Sequence, residues 1–205
     1  MKGLNDEEVK TCLVSISQLK NLEELSLNSN DSGNEEPSGE SIAMIGQNCA
    51  KLAKLSLNLF AVPTTDHFLE SFSSFKSLIS LNLSFNALNV YELKGSVKSL
   101  SGCTQLKHLL VYNTSLSEDF FSGIDTALPN LQTLYLGIGN DISDSFISPF
   151  LTLKFIQKVI IKITFRGKYH YYFGKLYNKM KLNTNDNKTY RFGVGGVTRI
   201  KQGDW

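Results

Sequence analysis

The stretch NCAKLAKLSLN at residues 48–58 decides the fold, because its spacing returns as GCTQLKHLLVY at residues 102–112. Aligned on Leu52 and Leu106, both stretches read Cys-x-x-Leu-x-x-Leu-x-apolar. The same frame occurs six times, at steps of 25 to 30 residues. A repeat of this length indicates a solenoid built from one strand-and-helix unit per copy. The first apolar position of the frame falls at Leu22, Leu52, Leu78, Leu106, Leu131 and Ile156.

Each copy contains a short strand followed by a helical segment. The apolar-x-apolar pairs, such as Leu55 and Leu57, have the period of a strand with one buried face. Between the pairs the apolar period becomes that of an amphipathic helix. Units of this kind bury their faces only when stacked, which predicts an α/β solenoid of about six repeats with parallel strands on the concave side and helices on the convex side. The helical stripes are Val9, Leu13, Ile16 and Leu19; Leu93, Val97, Leu100 and Cys103; and Phe121, Ile124 and Leu128.

Three helix starts are marked by capping residues. The stretches LNDEE at 4–8, LSEDF at 116–120 and ISDSF at 142–146 place Asn5, Ser117 and Ser143 beside acidic residues. Such residues are favoured as N-caps, with acidic side chains in the first turn. We therefore expect helices to begin at these three points.

The repeats resemble those of the leucine-rich repeat family, in its branch with longer, helix-bearing repeats. Asn30 and Asn86 match the asparagine that closes the family motif, whereas Phe60, Thr114 and Gly139 replace it in other copies. The cysteine frame is similar to the cysteine-containing repeats of F-box and leucine-rich repeat proteins, and the resemblance covers roughly residues 4–162. It implies a solenoid domain over residues 1–164, followed by a cap or tail over residues 165–205.

The strand residues between the buried leucines form the concave face of such a solenoid. In the first three strands these residues are small and polar, whereas the last three strands add apolar and aromatic side chains on neighbouring strands. Exposed patches of this kind mark partner sites, and tyrosine is common among interface anchors. The alternative is that the C-terminal segment folds back and covers the patch. The predicted protein-binding residues are His108, Leu110, Tyr112, Thr133, Tyr135, Lys158 and Ile160.

The C-terminal segment differs from the rest of the chain in charge. Residues 166–205 have 9 Lys and Arg against 2 Asp and Glu, whereas residues 1–165 have 12 against 17. Basic residues interleaved with aromatic ones suit single-stranded nucleic acid. However, the alternation around Tyr190 and Phe192, after the turn-like NTNDN, favours a terminal β-hairpin that caps the solenoid. RNA binding through this segment is the less favoured alternative.

Catalytic patterns find little support in the sequence. His67, His108 and His170 show no repeated spacing to carboxylates, and Cys103 and His108 lack the second pair that a zinc site needs. Cys49 and Cys103 occupy core positions of the frame, where buried thiols are expected. We therefore predict a protein without enzymatic activity, metal or cofactor.

The sequence as a whole favours a protein-interaction module. The F-box resemblance implies the substrate-recognition part of a ubiquitin ligase adaptor, with ligase core components bound through a region outside this chain. A ribonuclease-inhibitor-like cytosolic scaffold is the alternative within the same class. No apolar run reaches the length of about 18 residues that suggests a membrane helix, and the N-terminus lacks the apolar region of a secretory signal. We therefore expect a cytoplasmic location, with the nucleus as the alternative, and no membrane partner.

Overall fold

Seven parallel strands form one open sheet in the computed structural model, which describes residues 6–29, 37–60, 63, 67–86, 92–139, 142–163 and 189–194. The strands follow one another in the sheet in the order in which they occur along the chain. Every connection between described strands therefore leads to the adjacent position, as expected of a stack of repeated units. The strands are β1 (Glu24–Asn28), β2 (Lys54–Leu59), β3 (Ser80–Phe85), β4 (His108–Thr114), β5 (Thr133–Ile138), β6 (Lys158–Ile163) and β7 (Thr189–Val194).

The register of the sheet follows the repeat frame residue by residue. Leu25 pairs with Leu55, and Leu55 with Leu81. The same row continues through the equivalent positions of β4, β5 and β6. The predicted α/β class and the parallel order of the six frame strands are thus confirmed, and the arrangement fits a solenoid-like α/β fold.

Within the described ranges, helices of ten residues or more occur only in the first part of the chain, at Asp6–Ser17 before β1 and at Gly39–Asn48 between β1 and β2. The prediction of an amphipathic helix in every linker is right for these two and wrong for the later linkers, which contain only short α-helical or 3₁₀ segments. Gly95 and Gly123 have φ of 106° and 77°, which a right-handed helix does not allow, so helical backbone begins only beyond them. The helices are α1 (Asp6–Ser17), α2 (Gly39–Asn48), α3 (Ile124–Ala127) and α4 (Asp144–Ile147), with 3₁₀ turns at Leu69–Ser74, Val97–Leu100 and Ser148–Thr152.

The predicted helix caps have different outcomes. Ser143 is the N-cap of α4, and its hydroxyl accepts a hydrogen bond from the Phe146 amide at 3.2 Å. The prediction for Ser117 is wrong, because the next helix begins only after Gly123. Asn5 lies outside the described residues. A cap that the sequence analysis missed is Ser38, whose hydroxyl accepts from the Ser41 amide at the start of α2.

The core lies between the sheet and the helical segments and runs through the stack. Strand residues such as Leu57 and Leu83 meet helix residues such as Phe72, all 0 to 1% exposed. In the last units the aromatic ring of Phe121 packs edge-to-face on Phe150, with 4.9 Å between centroids. The interior of each unit is therefore sealed by the next one, as repeat stacking requires.

The two frame cysteines link neighbouring units. All three cysteines are free thiols, and Cys49 and Cys103 are buried as predicted. The Cys103 thiol donates to the carbonyl of Phe72 in the preceding unit, with 3.0 Å between sulfur and oxygen. The Cys49 thiol lies 3.7 Å from the Ile16 carbonyl oxygen at the end of α1. The frame cysteine thus satisfies carbonyl groups at the end of the previous helix.

Strand β7 comes from the basic C-terminal segment and pairs in parallel with β6. The alternation around Tyr190 and Phe192 predicted that these residues form one side of an antiparallel hairpin. The other proposed side, KMKL at residues 179–182, lies outside the described residues, as does most of the segment proposed to cap the solenoid. The described strand extends the sheet by one position. Among the helices that the structure describes, none has the length and hydropathy to cross a membrane.

Candidate functional site

All seven predicted binding residues lie on one face of β4, β5 and β6, opposite the helices. The register places them in three rows that cross the strands, and two further residues, Gly137 and Lys162, complete these rows. We call these nine residues the outward patch. Its rows are His108, Thr133 and Lys158; Leu110, Tyr135 and Ile160; and Tyr112, Gly137 and Lys162.

The centre of the outward patch is more deeply buried than expected of binding anchors. Leu110 is 1% exposed and Tyr135 is 8% exposed, although neither belongs to the core cluster on the other side of the sheet. Tyr112, Ile160 and the two lysines are half-buried. The accessible part of the patch therefore lies around its buried centre, along β6 and in the rows that contain His108 and Tyr112.

The ring of Tyr112 lies across Gly137 on the neighbouring strand. A Cβ atom built on Gly137 would overlap this ring, so glycine is needed for the close approach. The Tyr112 and Tyr135 rings are 6.2 Å apart between centroids, at an angle of 45°. Burial raises the pKa of the Tyr112 hydroxyl, as does Tyr135, against an opposing effect of Lys162. Tyr112 therefore stays neutral and packs as part of the surface.

Asn113 fixes the position of Tyr112 through an irregularity in β4. Its backbone has φ of 60°, and the register with β5 shifts between Tyr112 and Thr114. The Asn113 side-chain amide donates to the Phe85 carbonyl on β3 at 2.7 Å. Asparagine tolerates the left-handed region better than most residues, and a bulge re-aims the side chains beside it. The bulge thus lies next to the aromatic part of the patch.

The charges of the patch are all positive. The Lys162 ammonium nitrogen lies 5.5 Å from the centroid of the Tyr135 ring, within the range of a cation–π interaction. Burial lowers the pKa of His108, and the charge of Lys107 lowers it further, so this imidazole is neutral at pH 7. Lys158 and Lys162 therefore carry the charge, and no carboxylate occupies any of the nine patch positions.

The same face of β1 to β3 has a different character, because its polar groups satisfy one another. Lys54 pairs with Glu24 at 3.3 Å. The Asn82 amide donates to the Ser56 hydroxyl at 3.0 Å, and the Ser84 hydroxyl donates to the Asn82 carbonyl oxygen at 2.8 Å. This half presents small, hydrogen-bonded side chains and gives a ligand little apolar area to cover.

Potential metal ligands and the two frame cysteines are the other chemically important groups among the described residues. No group of three or more His, Cys, Asp and Glu in the described ranges is placed to hold a metal ion. Burial raises the pKa of the Cys103 thiol to about 12, and it also raises the pKa of Cys49. Both thiols are therefore protonated at neutral pH, which makes them poor nucleophiles.

Comparison with models of known protein families gives no match, and a search among curated proteins gives none. The function of this chain is therefore inferred from its own residues.

Two residues of the patch, Gly137 and Lys162, are missing from the binding set predicted from the sequence, and of these Lys162 has the charged side chain. Lys162 lies two positions after Ile160 on the outward side of β6, so the alternation of the strand already gave its direction. Its contact with the Tyr135 ring depends on the register between β5 and β6, which the frame predicted as well. Lys162 belongs with Lys158 as the second cation of the site.

Proposed function

We propose that the chain is a non-enzymatic protein-interaction module of the leucine-rich repeat class that binds a protein ligand on the outward patch. The observation that carries the proposal is the concentration of tyrosine, isoleucine and lysine side chains on β4 to β6, beside a polar and internally bonded half. Protein interfaces combine apolar and aromatic anchors with a polar surround. The repeat spacing and the in-register parallel sheet support the class.

The proposal is tested best at Ile160, because this side chain is half-buried on the outward side of β6. Ile160→Glu places a charge in the patch without opening the core. Ser26→Glu is the matched control, since Ser26 lies in the same row of the sheet, on β1. Changes at Leu110 or Tyr135 are less informative because both residues are buried and their replacement by Glu would also destabilise the fold.

The experiment is an affinity capture from a lysate of the source cells, with wild type and both variants as bait and quantitative mass spectrometry as readout. We expect a protein whose recovery falls about tenfold with Ile160→Glu and is unchanged with Ser26→Glu. Circular dichroism and thermal unfolding of all three baits check that they are equally folded. Equal recovery of every captured protein by the two variants would contradict the proposal.

A finer version of this function is the substrate-recognition part of an F-box-type ubiquitin ligase adaptor. It is supported by the Cys-x-x-Leu frame at Cys49 and Cys103 alone, and ligase core components would bind outside the repeats. Co-purification of those components with the full gene product tests it. A free-standing scaffold of the ribonuclease-inhibitor type would bind its partner through the same patch without them. RNA binding through residues 166–205 is the alternative from another class of function. Apart from β7, these residues lie outside the described part of the chain.

A further inference from the structure

The first repeat unit exposes frame positions that the five later units of the frame bury. Leu19 is 53% exposed, whereas its counterparts in those units are 0 to 2% exposed. Leu22, Leu25 and Leu27 are half-buried, whereas their counterparts are again 0 to 2% exposed. Because the later units are stacked on one side of these leucines, their exposed parts lie at the outer end of the stack. We call the four side chains the β1 strip.

The backbone of β1 offers hydrogen-bonding groups at the same end of the sheet. Among the described strands, β1 has β2 on one side and none on the other. The Glu23 carbonyl and the Ser29 amide bond to β2, at 3.0 and 2.8 Å. In a parallel pair, alternate residues of a strand bond to the same neighbour, so the odd-numbered residues face β2. The backbone groups that point to the open side, here called the β1 edge, belong to Glu24, Ser26 and Asn28.

The first unit is strongly acidic. Residues 6–40 contain 9 Asp and Glu against 2 Lys. Glu23 and Glu24 lie at the start of β1, and both are exposed. Glu24 is 3.3 Å from Lys54 on β2, in an exposed pair that solvent screens. The acidic excess favours a ligand that brings positive charge, since electrostatic complementarity selects partners and speeds their encounter.

We infer that the β1 edge binds an extended segment of a protein partner in which apolar residues alternate with basic ones. An unpaired strand edge is a template for another chain, and strand addition is a common mode of peptide recognition. The side chains of an added strand alternate between the two faces of the sheet. Its apolar residues therefore cover the β1 strip on the helix side, and its basic residues lie beside Glu24 on the outward side.

This surface is separate from the outward patch, so the inference does not depend on the proposed function. The nearest strand of the patch is β4, three strands from β1. Strands in a sheet are about 4.8 Å apart, which puts the two sites about 14 Å from each other. One chain can thus hold two partners, or two segments of one partner, at the same time.

Other occupants fit the β1 edge less well. A second copy paired through its own β1 would bring two acidic first units together. Nucleic acid would bring further negative charge to the same place. The basic residues 166–205 of a second copy share the charge of the inferred ligand, with a net charge of +7. Binding of that kind makes the chain self-associate, which sedimentation distinguishes from binding of a separate partner.

The experiment is a selection of random nine-residue peptides, displayed between flexible flanks, on the full-length chain. Ser26→Pro removes an amide of the β1 edge but none of the amides that bond to β2. Ser26→Ala is the matched control, because it changes the same side chain and keeps the amide. Ile160→Glu, which alters the outward patch, separates the two surfaces, and Glu23→Gln/Glu24→Gln removes local charge. Circular dichroism checks the fold of each bait.

On the wild-type chain we expect enrichment of peptides in which apolar and basic residues alternate. The selected peptides should bind Ser26→Pro about tenfold more weakly, and should bind Ser26→Ala and Ile160→Glu as they bind wild type. The Glu23→Gln/Glu24→Gln variant should bind about threefold more weakly. Affinity for wild type should also fall as salt rises to about 0.5 M.

Hydrogen exchange followed by NMR tests strand addition without any substitution, which keeps the inference testable if Ser26→Pro does not fold. In the unbound chain, the Ser26 and Asn28 amides should exchange quickly, whereas the Leu25 and Leu27 amides should be protected by their bonds to β2. At a saturating concentration of the selected peptide, the Ser26 and Asn28 amides should become protected as well.

Four results would overturn the inference. Selection of peptides without a basic pattern would refute the ligand chemistry, and unchanged exchange of the Ser26 and Asn28 amides in the bound state would refute strand addition. Failure to enrich any peptide that Ser26→Pro weakens would remove the β1 edge as a binding site. Self-association of the wild-type chain in sedimentation, abolished by Ser26→Pro, would assign the edge to a second copy. Loss of binding in Ile160→Glu alone would support the outward patch and count against the β1 edge.

Discussion

The contact between Tyr112 and Gly137 predicts that one substitution has opposite effects on stability in two backgrounds. In the wild-type chain, Gly137→Ala forces the Tyr112 ring away from the strand, because the added Cβ atom overlaps it. Overpacking of this kind costs about 1 to 3 kcal/mol. Alanine is otherwise better than glycine within a strand by about 0.5 to 1 kcal/mol. We therefore expect Gly137→Ala to destabilise the wild-type chain by up to about 2.5 kcal/mol.

In a Tyr112→Ala background the ring is gone and only the benefit of alanine remains. The same Gly137→Ala change should then stabilise the chain by about 0.5 to 1 kcal/mol. The coupling energy between the two sites is thus about 1 to 3 kcal/mol, typical of side chains in contact. Urea unfolding of the four proteins, followed by far-UV circular dichroism, measures it. Stabilisation by Gly137→Ala in both backgrounds would show that the ring does not occupy the space over Gly137, and would refute the described geometry of the patch.

Three further predictions follow from contacts between neighbouring units. Gly102→Ala should lower the free energy of unfolding by about 3 kcal/mol in urea titrations, because the new Cβ atom would overlap the Ser73 carbonyl of the preceding unit. Cys103 should resist alkylation by iodoacetamide at pH 8 in the folded chain, as detected by mass spectrometry, because burial raises its pKa to about 12. Ser143→Ala should raise the pKa of Glu118 towards its ordinary value in an NMR titration, since the hydrogen bond from Ser143 is the main cause of its lowering.

The first two of these predictions have internal controls, and the third has a consequence for the pH dependence of stability. Gly39→Ala adds its Cβ atom 3.7 Å or more from its neighbours, so it should leave stability unchanged or raise it by up to about 1 kcal/mol. Cys12 is exposed and should react with iodoacetamide under conditions that spare Cys103. Because the pKa of Glu118 is lowered in the folded state, its ionisation favours folding above its unfolded pKa. This contribution to stability is lost as pH falls from the unfolded pKa of Glu118 through its lower folded pKa. The Ser143→Ala variant should therefore lose less stability over this pH interval than the wild-type chain does.

The frame predicted the sheet well because its physical basis is local and periodic. A strand with alternating apolar residues has one choice of buried face, and a fixed spacing between copies leaves one in-register pairing. This reasoning placed all seven candidate residues on one face, in three adjacent strands. It also gave Cys49 and Cys103 their buried positions, since both follow a helical stripe where the chain turns into the next strand.

The lengths of the helical segments were not predictable from the same stripes. Leu93, Val97 and Leu100 have helical spacing, but Gly95 within this stretch has a left-handed backbone. The same holds for Phe121 and Ile124 around Gly123. The spacing of apolar residues shows which side chains point inward. An irregular turn can place side chains at this spacing as well as a helix can. The pairing of β7 with β6 was missed for a different reason, because its segment does not carry the frame.

Burial depth is the other quantity that alternation does not give, and it changes which residues of the patch can bind. The alternation correctly placed Leu110 and Tyr135 on the outward face. From this placement we predicted that both are exposed binding anchors, whereas both are buried. On that face Tyr135 has the Tyr112 ring on one side and the Lys162 ammonium on the other, and it is 8% exposed. A ligand can therefore gain little area at the centre of the patch. It gains more along β6, where Ile160 is half-buried between Lys158 and Lys162, so a ligand that covers the patch would gain most of its buried area along this strand rather than at the centre.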